Sequence, residues 1–285
     1  MTTLPVPQSG TMPPTLHLSA SLWSLRQYPT ATHEWSWHEK FSAIHDAGFD
    51  GVLSPPINEL TDRGRLTYWA IGSLGPEDDV DTFFRRAADL RAEAVTIQIG
   101  DVDTPLESCI ELAVRIIQSG ADYSLPTAIE THRDTFTETP ERTWELHDGF
   151  LKATGKPLPV CFDHSHFAVV RHIRPPYWPE LRGREDILAR CRQLHLRPFN
   201  GHHCQIPVTD GRGNRTPEYL DWLAYLHELF AFIHHWAEGR IHVVPELGHA
   251  NPAYGLSCFP DTWDDVRVAA GDLRRAWEAQ TGSLQ

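Results

Sequence analysis

Four short stretches place a metal-ligating side chain where a β-strand would end: Glu130 in AIETHRDT, Asp163 in VCFDHSHF, His195 in QLHLRPF and Glu246 in VVPELGH. Three carboxylates and one imidazole form a mixed oxygen and nitrogen set suited to Mn²⁺, Mg²⁺, Co²⁺ or Zn²⁺, and the lack of thiolate argues against structural zinc. The residue types do not choose among these ions; Mn²⁺ is carried as the first expectation. A divalent ion beside carboxylates suits proton abstraction next to a carbonyl, because charge developing on the oxygen is stabilised. Each residue alone has a plainer reading, a helix N-cap for a carboxylate or a hydrogen-bonded core residue for the His. Four strand ends agreeing outweighs it.

Those strand ends must share one mouth, which requires alternating β- and helix-type segments around a parallel sheet. The pattern predicts strands at 15–20, 51–54, 94–99, 126–130, 159–163, 193–198 and 241–245, with helices at 37–47, 79–92, 105–118, 141–153, 185–191, 217–237 and 261–280. Val95, Ile97 and Ile99 suit a buried parallel strand, and Phe83, Phe84, Ala87 and Leu90 make one helical stripe. An eighth strand is inferred at 204–208, the weakest of the set. The expectation is a single-domain (β/α)₈ barrel over 15–285, preceded by a loose Pro-, Thr- and Ser-rich arm at 1–14 that does not read as a signal peptide.

Composition bounds the partners. With 38 acidic against 25 basic residues the net charge is −13, which argues against nucleic acid and anionic membrane surfaces. No apolar run approaches the roughly 20 residues a membrane span needs. Five Cys, odd in number and without a CxxC pair, suggest neither a disulfide framework nor a thiolate zinc site, and fit a reducing cytoplasm. The chain carries 17 His and 10 Trp. Trp23, Trp35, Trp37 and Trp69 fall in or near the early βα loops, where aromatic faces stack on sugar C–H surfaces, although packing of the outer shell explains them equally well. Gly211 and Gly213 are a turn signal rather than a phosphate cradle.

The stretches IETHRDT, DHSH and the Glu of VVPELG resemble the xylose-isomerase-like barrel superfamily over roughly 16–277. That superfamily includes tagatose and psicose epimerases, inosose dehydratase, hydroxypyruvate isomerase and endonuclease IV. The resemblance implies one metal held by a Glu after strand four, an Asp after strand five, a His on strand six and a Glu after strand eight: here Glu130, Asp163, His195 and Glu246. It implies that Glu130 and Glu246 combine ligand and acid/base roles, moving a proton through an enediolate. His166, three residues after Asp163, matches a His that contacts substrate oxygens, with His132 and Arg133 at the rim. An ETHR motif, an Asp-x-Ser-His motif, an Arg two residues after the strand-six His and a following Gln are similar to proteins described as sugar phosphate isomerase/epimerase; Arg197 and Gln205 answer to the last two, although Cys204 replaces a Pro. A homodimer is also an expectation of the resemblance.

The departures matter. Tagatose-type epimerases place an Arg six residues beyond the strand-six His, where this chain has Gly201, so Arg197, Arg212 or Arg215 would substitute. His202 and His203 are alternatives to His195 as ligand, and Gln205 could reach the metal through its carbonyl oxygen. The full ligand set of the nuclease branch cannot be placed. The expected function is a metal-dependent sugar isomerase or epimerase; a lyase or dehydratase acting on a keto-sugar, keto-glycoside or inosose is the runner-up, and a non-catalytic accessory barrel the third reading.

Overall fold

The computed structural model describes residues 13–248 and 256–282; the 1–14 arm falls almost wholly outside them. Eight parallel strands close a barrel: β1 (Thr15–Ser21), β2 (Gly51–Ser54), β3 (Thr67–Leu74), β4 (Ala94–Ile99), β5 (Thr127–Glu130), β6 (Val160–Phe162), β7 (Gln193–His195) and β8 (Arg240–Val244). Each pairs with its sequence neighbour, and β8 closes on β1 with Leu16 opposite Ile241. Outside lie α1 (Trp37–Asp46), α2 (Val80–Asp89), α3 (Leu106–Asp122), α4 (Pro140–Thr154), α5 (His164–Val170), α6 (Trp178–Leu181), α7 (Glu185–Leu188), α8 (Pro217–Trp236) and α9 (Thr262–Gly282). Among the described residues no helix is long and apolar enough to cross a membrane.

Local sequence explains the helix ends. Ser36 and Glu39 form a reciprocal capping box at the start of α1, and Asp79, Thr139 and Thr216 accept from backbone N–H groups in the first turns of α2, α4 and α8. Gly155 ends α4 at φ +73°, a left-handed conformation that costs glycine little.

One strand assignment changes. The stretch 204–208 contains no strand, because β7 pairs directly with β8 and leaves no gap between them. Its backbone is satisfied elsewhere: Val208 N–H and Thr209 N–H donate to the buried Asp265 carboxylate at 2.8 and 3.1 Å. The eighth strand is instead β3, joined to β2 by a connection holding only a 3₁₀ turn at Asn58–Asp62. Without an intervening α-helix, the βα alternation that marks the other strands is missing there. Glu130, Asp163, His195 and Glu246 therefore belong to the fifth, sixth, seventh and eighth strands rather than the fourth, fifth, sixth and eighth.

Side chains alternate between the barrel interior and the helix layer with the period of two that a pleated strand imposes. Leu53, Trp69, Ala94, Ala128, Cys161 and Val244, one from each of six strands, pack together inside, apart from the larger core between strands and helices. Trp69 Nε1 donates to Thr96 Oγ1 (2.9 Å), which donates to Gln193 Oε1 (2.6 Å). Glu130, Asp163, His195 and Glu246 come two residues after Ala128, Cys161, Gln193 and Val244, so they form the next layer toward the mouth.

Candidate active site

Glu130 Oε1 lies 2.8 Å from His195 Nδ1, and Glu246 Oε2 lies 3.3 Å from the same nitrogen. Ligand atoms of Glu130, His195 and Glu246 all fall within 4.8 Å of one another, and all three residues are buried. Among the described residues, the carboxylate oxygens of Glu130 and the ring nitrogens of His195 have no aligned hydrogen-bond partner beyond these ion-pair contacts. Buried charged groups are normally paired or bound to a metal, and two carboxylates with one imidazole are a donor set for a divalent cation. The residues present fit such an ion.

Asp163 stands outside that group. It is the N-cap of α5, its Oδ1 accepting the Ser165 N–H at 3.0 Å, while Oδ2 lies 3.3 Å from both Arg197 Nε and His166 Nε2. Thr131 holds the Asp163 backbone, its hydroxyl accepting the N–H at 2.8 Å and donating to the carbonyl at 3.1 Å. Asp163 therefore caps a helix through Oδ1, while Oδ2 faces Arg197 and His166.

Arg197, two residues past His195, keeps the inward parity of β7. Its Nη2 sits 3.0 Å from Glu246 Oε2, so one buried guanidinium spans Asp163 and Glu246. Burial would raise both carboxyl pKa values, but the charge balance reverses it. His166 and Arg197 hold Asp163 well below the ordinary carboxylate range, and Arg197 and His195 bring Glu246 down to about 2. Burial would likewise lower the His195 pKa, and the Glu130 carboxylate overrides it, favouring a proton on His195 when no cation is bound.

Above this layer opens a cavity of about 530 Å³. Trp23, Leu53, Pro55, Pro56, Ile71 and Phe83 give it apolar wall; Ser21, Ser54, Ser73, Gln98, His132, Arg133, Arg197 and Glu246 give it polar wall. His132 packs against His166 with the rings tilted and their centroids 4.5 Å apart, and its Nδ1 meets the Arg133 carbonyl at 2.6 Å. Burial lowers the His132 pKa, partly opposed by Glu130, which leaves a neutral imidazole facing the cavity. His166 is buried behind it. Trp23 faces the Arg197 guanidinium at 5.3 Å from its ring centroid.

The other candidate residues are found in these positions. The Gln205 amide is occupied by Gly248, donating to its carbonyl at 3.0 Å and accepting its N–H at 2.6 Å, and does not line this cavity. His202 and His203 are exposed, their N–H groups bound to Asn200 Oδ1, which leaves His195 as the inward histidine. Arg212 is exposed and Arg215 pairs with Asp272 on α9, so of the three substitute arginines only Arg197 reaches the mouth. Gly201 cannot carry a side chain: a Cβ there would lie 2.1 Å from the Ile173 carbonyl oxygen. Trp69 is an interior strand residue, its ring edge-on to His195 at 5.2 Å between centroids, and Trp35 packs on Tyr28. Sequence reasoning missed Cys161, Thr96 and Gln193 as the layer beneath the site, although the same period of two leads to them.

No family model matches the chain, and no curated protein does. Solved structures do. An L-ribulose 3-epimerase superposes with TM-score 0.63 at 11% identity, covering 95% of this chain and 97% of its own. A xylose isomerase domain protein from Alicyclobacillus acidocaldarius gives 0.56 at 15%, covering 94% and 100%. These structures share the (β/α)₈ barrel fold of this chain. A probable 3-DHS dehydratase involved in petrobactin synthesis, from Bacillus anthracis, shares it at TM-score 0.57 and 16% identity, covering 90% and 98%. At these identities the likeness concerns the barrel.

Proposed function

We propose that the protein is a divalent-metal-dependent isomerase or epimerase of a sugar or sugar derivative. The observation that carries this reading is the buried Glu130–His195–Glu246 group, whose Glu246 lines a mainly apolar cavity that also carries His132, Arg133 and Arg197. Glu130, His195 and Glu246 would hold the ion, which supplies Lewis acidity that makes a C–H next to a substrate carbonyl easier to ionise. Glu130 and Glu246 sit on the fifth strand and just beyond the eighth, with His195 of the seventh between them. One removes the proton and the other returns it, to the opposite face or the adjacent carbon. Neutral His132 and charged Arg133 and Arg197 meet substrate oxygens, while Trp23 and Phe83 cover C–H faces.

The L-ribulose 3-epimerase of the same fold supports proton transfer on a ketose. The dehydratase of the same fold supports a second reading, in which the same carbanion expels a hydroxyl from the next carbon.

Elemental analysis of the purified protein beside Glu130→Gln and Glu246→Gln tests the site. Incubation with ketoses, aldoses and 3-keto-glycosides in heavy water, with Mn²⁺, Co²⁺, Mg²⁺ or Zn²⁺ restored, tests the chemistry. The reading expects near-stoichiometric metal that both substitutions weaken, and deuterium entering a substrate carbon. The product then separates isomerase from lyase. A parent protein without metal after supplementation removes the proposed site.

A further inference from the structure

A second recess, of about 570 Å³, lies between the 175–179 segment and α8 and shares no lining residue with the mouth cavity. Pro175, Pro176 and Pro179 bring apolar rings and no N–H donors to its wall. The half-buried Trp178 and the buried Tyr177 and Tyr225 add aromatic faces, Trp178 and Tyr177 each lying 6.5 Å from Tyr225 between ring centroids. The charged residues of the lining, Asp221 and Glu228, are both acidic. They stand two helical turns apart on α8 and so share one face. Both are exposed, and neither carboxylate has a hydrogen bond or ion pair among the described residues.

Tyr177 supplies an independent sign of a ligand. It is 2% exposed and packs on Phe199 with ring centroids 5.2 Å apart, yet its hydroxyl has no hydrogen-bond partner among the described residues. Burial, reinforced by the nearby Asp221 and Glu218 carboxylates, pushes its pKa up to about 12, so the phenol is neutral. Buried polar groups normally have partners. An anion would be repelled by Asp221 and Glu228, and a purely apolar molecule would leave the hydroxyl unmet. An ammonium group on an apolar body answers every feature: its N–H groups donate to the Tyr177 oxygen and the carboxylates, and aromatic faces attract its charge.

We propose that this recess binds a small organic ammonium ion, its charged end between Tyr177, Asp221 and Glu228 and its apolar body against Trp178 and the prolines. The volume lies in the range of small-molecule sites, which favours a free amine over a lysine presented by a protein chain. The inference stands apart from the metal reading.

Isothermal titration calorimetry on the full-length protein tests it, with phenethylammonium, the neutral phenethyl alcohol, the anionic phenylacetate and a lysine tripeptide as titrants. The variants are Tyr177→Phe, the pair Asp221→Asn with Glu228→Gln, and Glu246→Gln, each verified as folded by circular dichroism. Expected is one saturable phenethylammonium site per chain, with the alcohol and the tripeptide clearly weaker and no phenylacetate binding. Replacing both carboxylates should weaken phenethylammonium by about 10-fold or more, and Tyr177→Phe by about 2- to 10-fold, the ranges for charged and neutral hydrogen bonds. Glu246→Gln, in the other cavity, should bind it as the parent does. Absence of saturable phenethylammonium binding overturns the proposal, as does equal binding of the alcohol or full affinity in the doubly substituted protein. Loss of binding in Glu246→Gln would place the amine in the mouth instead, and a tripeptide that binds more tightly than phenethylammonium would overturn the small-molecule assignment.

Discussion

Glu130 Oε1 and His195 Nδ1 lie 2.8 Å apart without the alignment of a hydrogen bond. With a proton on His195 the two form a buried ion pair, and a divalent cation would displace that proton and take up both groups. Mn²⁺ binding should therefore stabilise the fold. At a concentration about 100 times its Kd, linkage gives roughly 2.7 kcal/mol, or about 5–11 °C in Tm at 2–4 °C per kcal/mol for a chain of this size. Differential scanning fluorimetry should show this shift in the parent and none in Glu130→Gln; equal shifts in both would place the ion elsewhere.

Gly248 lies against the Trp23 ring, and a Cβ there would meet ring carbons at 2.0 and 2.2 Å. Gly248→Ala should displace Trp23 from the cavity wall and cost about 1–3 kcal/mol, the usual range for overpacking. In a Trp23→Ala background the same change should be nearly neutral. Thermal unfolding of the four proteins of this cycle decides it; a cost that survives without Trp23 would lie in the backbone instead.

Gly201→Ala has no flexible neighbour to move, since its Cβ would meet Ile173 carbonyl O at 2.1 Å. Its cost should exceed about 2 kcal/mol, toward the upper end for forced backbone shifts. A folded Gly201→Ala with parental urea midpoint would show that the 172–173 segment yields.

His242, on β8, is buried against Trp69 and His17, and burial, reinforced by nearby His17 and Arg240, lowers its pKa to about 3. Because the folded value lies below the unfolded one of about 6.5, the unfolded chain binds the extra proton first. Stability attributable to this residue is whole above pH 6.5 and falls on acidification by up to about 1.4 kcal/mol per pH unit until the folded pKa is reached. Replacing it with Asn should flatten the decline between pH 6 and pH 4 in urea titrations; parallel curves for parent and variant would assign the acid sensitivity to other groups.

Much of this was readable from the chain because one regularity places both fold and site. Inward residues recur every second position, so Gln193, His195 and Arg197 face one interior, and Glu246 follows Val244 in the same phase. The misplaced strand shows where that regularity fails. TYWAIGSL has strand composition, but a 3₁₀ turn rather than a helix precedes it, so the alternation of strand and helix that marks the other strands is absent there. What was not legible is the company Asp163 keeps: its cap of α5 and its contacts with Arg197 and His166 depend on side-chain positions, since a ligand and an N-cap use the same residue type at the same strand end.

Glu130, His195 and Glu246 come from the second half of the barrel, whereas most of the cavity wall, from Ser21 and Trp23 to Gln98, comes from β1–β4 and their loops. The wall and the Glu130–His195–Glu246 group thus draw mainly on separate stretches of one polypeptide, with His132, Arg133, Arg197 and Glu246 carrying the later stretch into the wall. Under the proposed function, a library confined to residues 21–98 would reshape the cavity and leave that group in place.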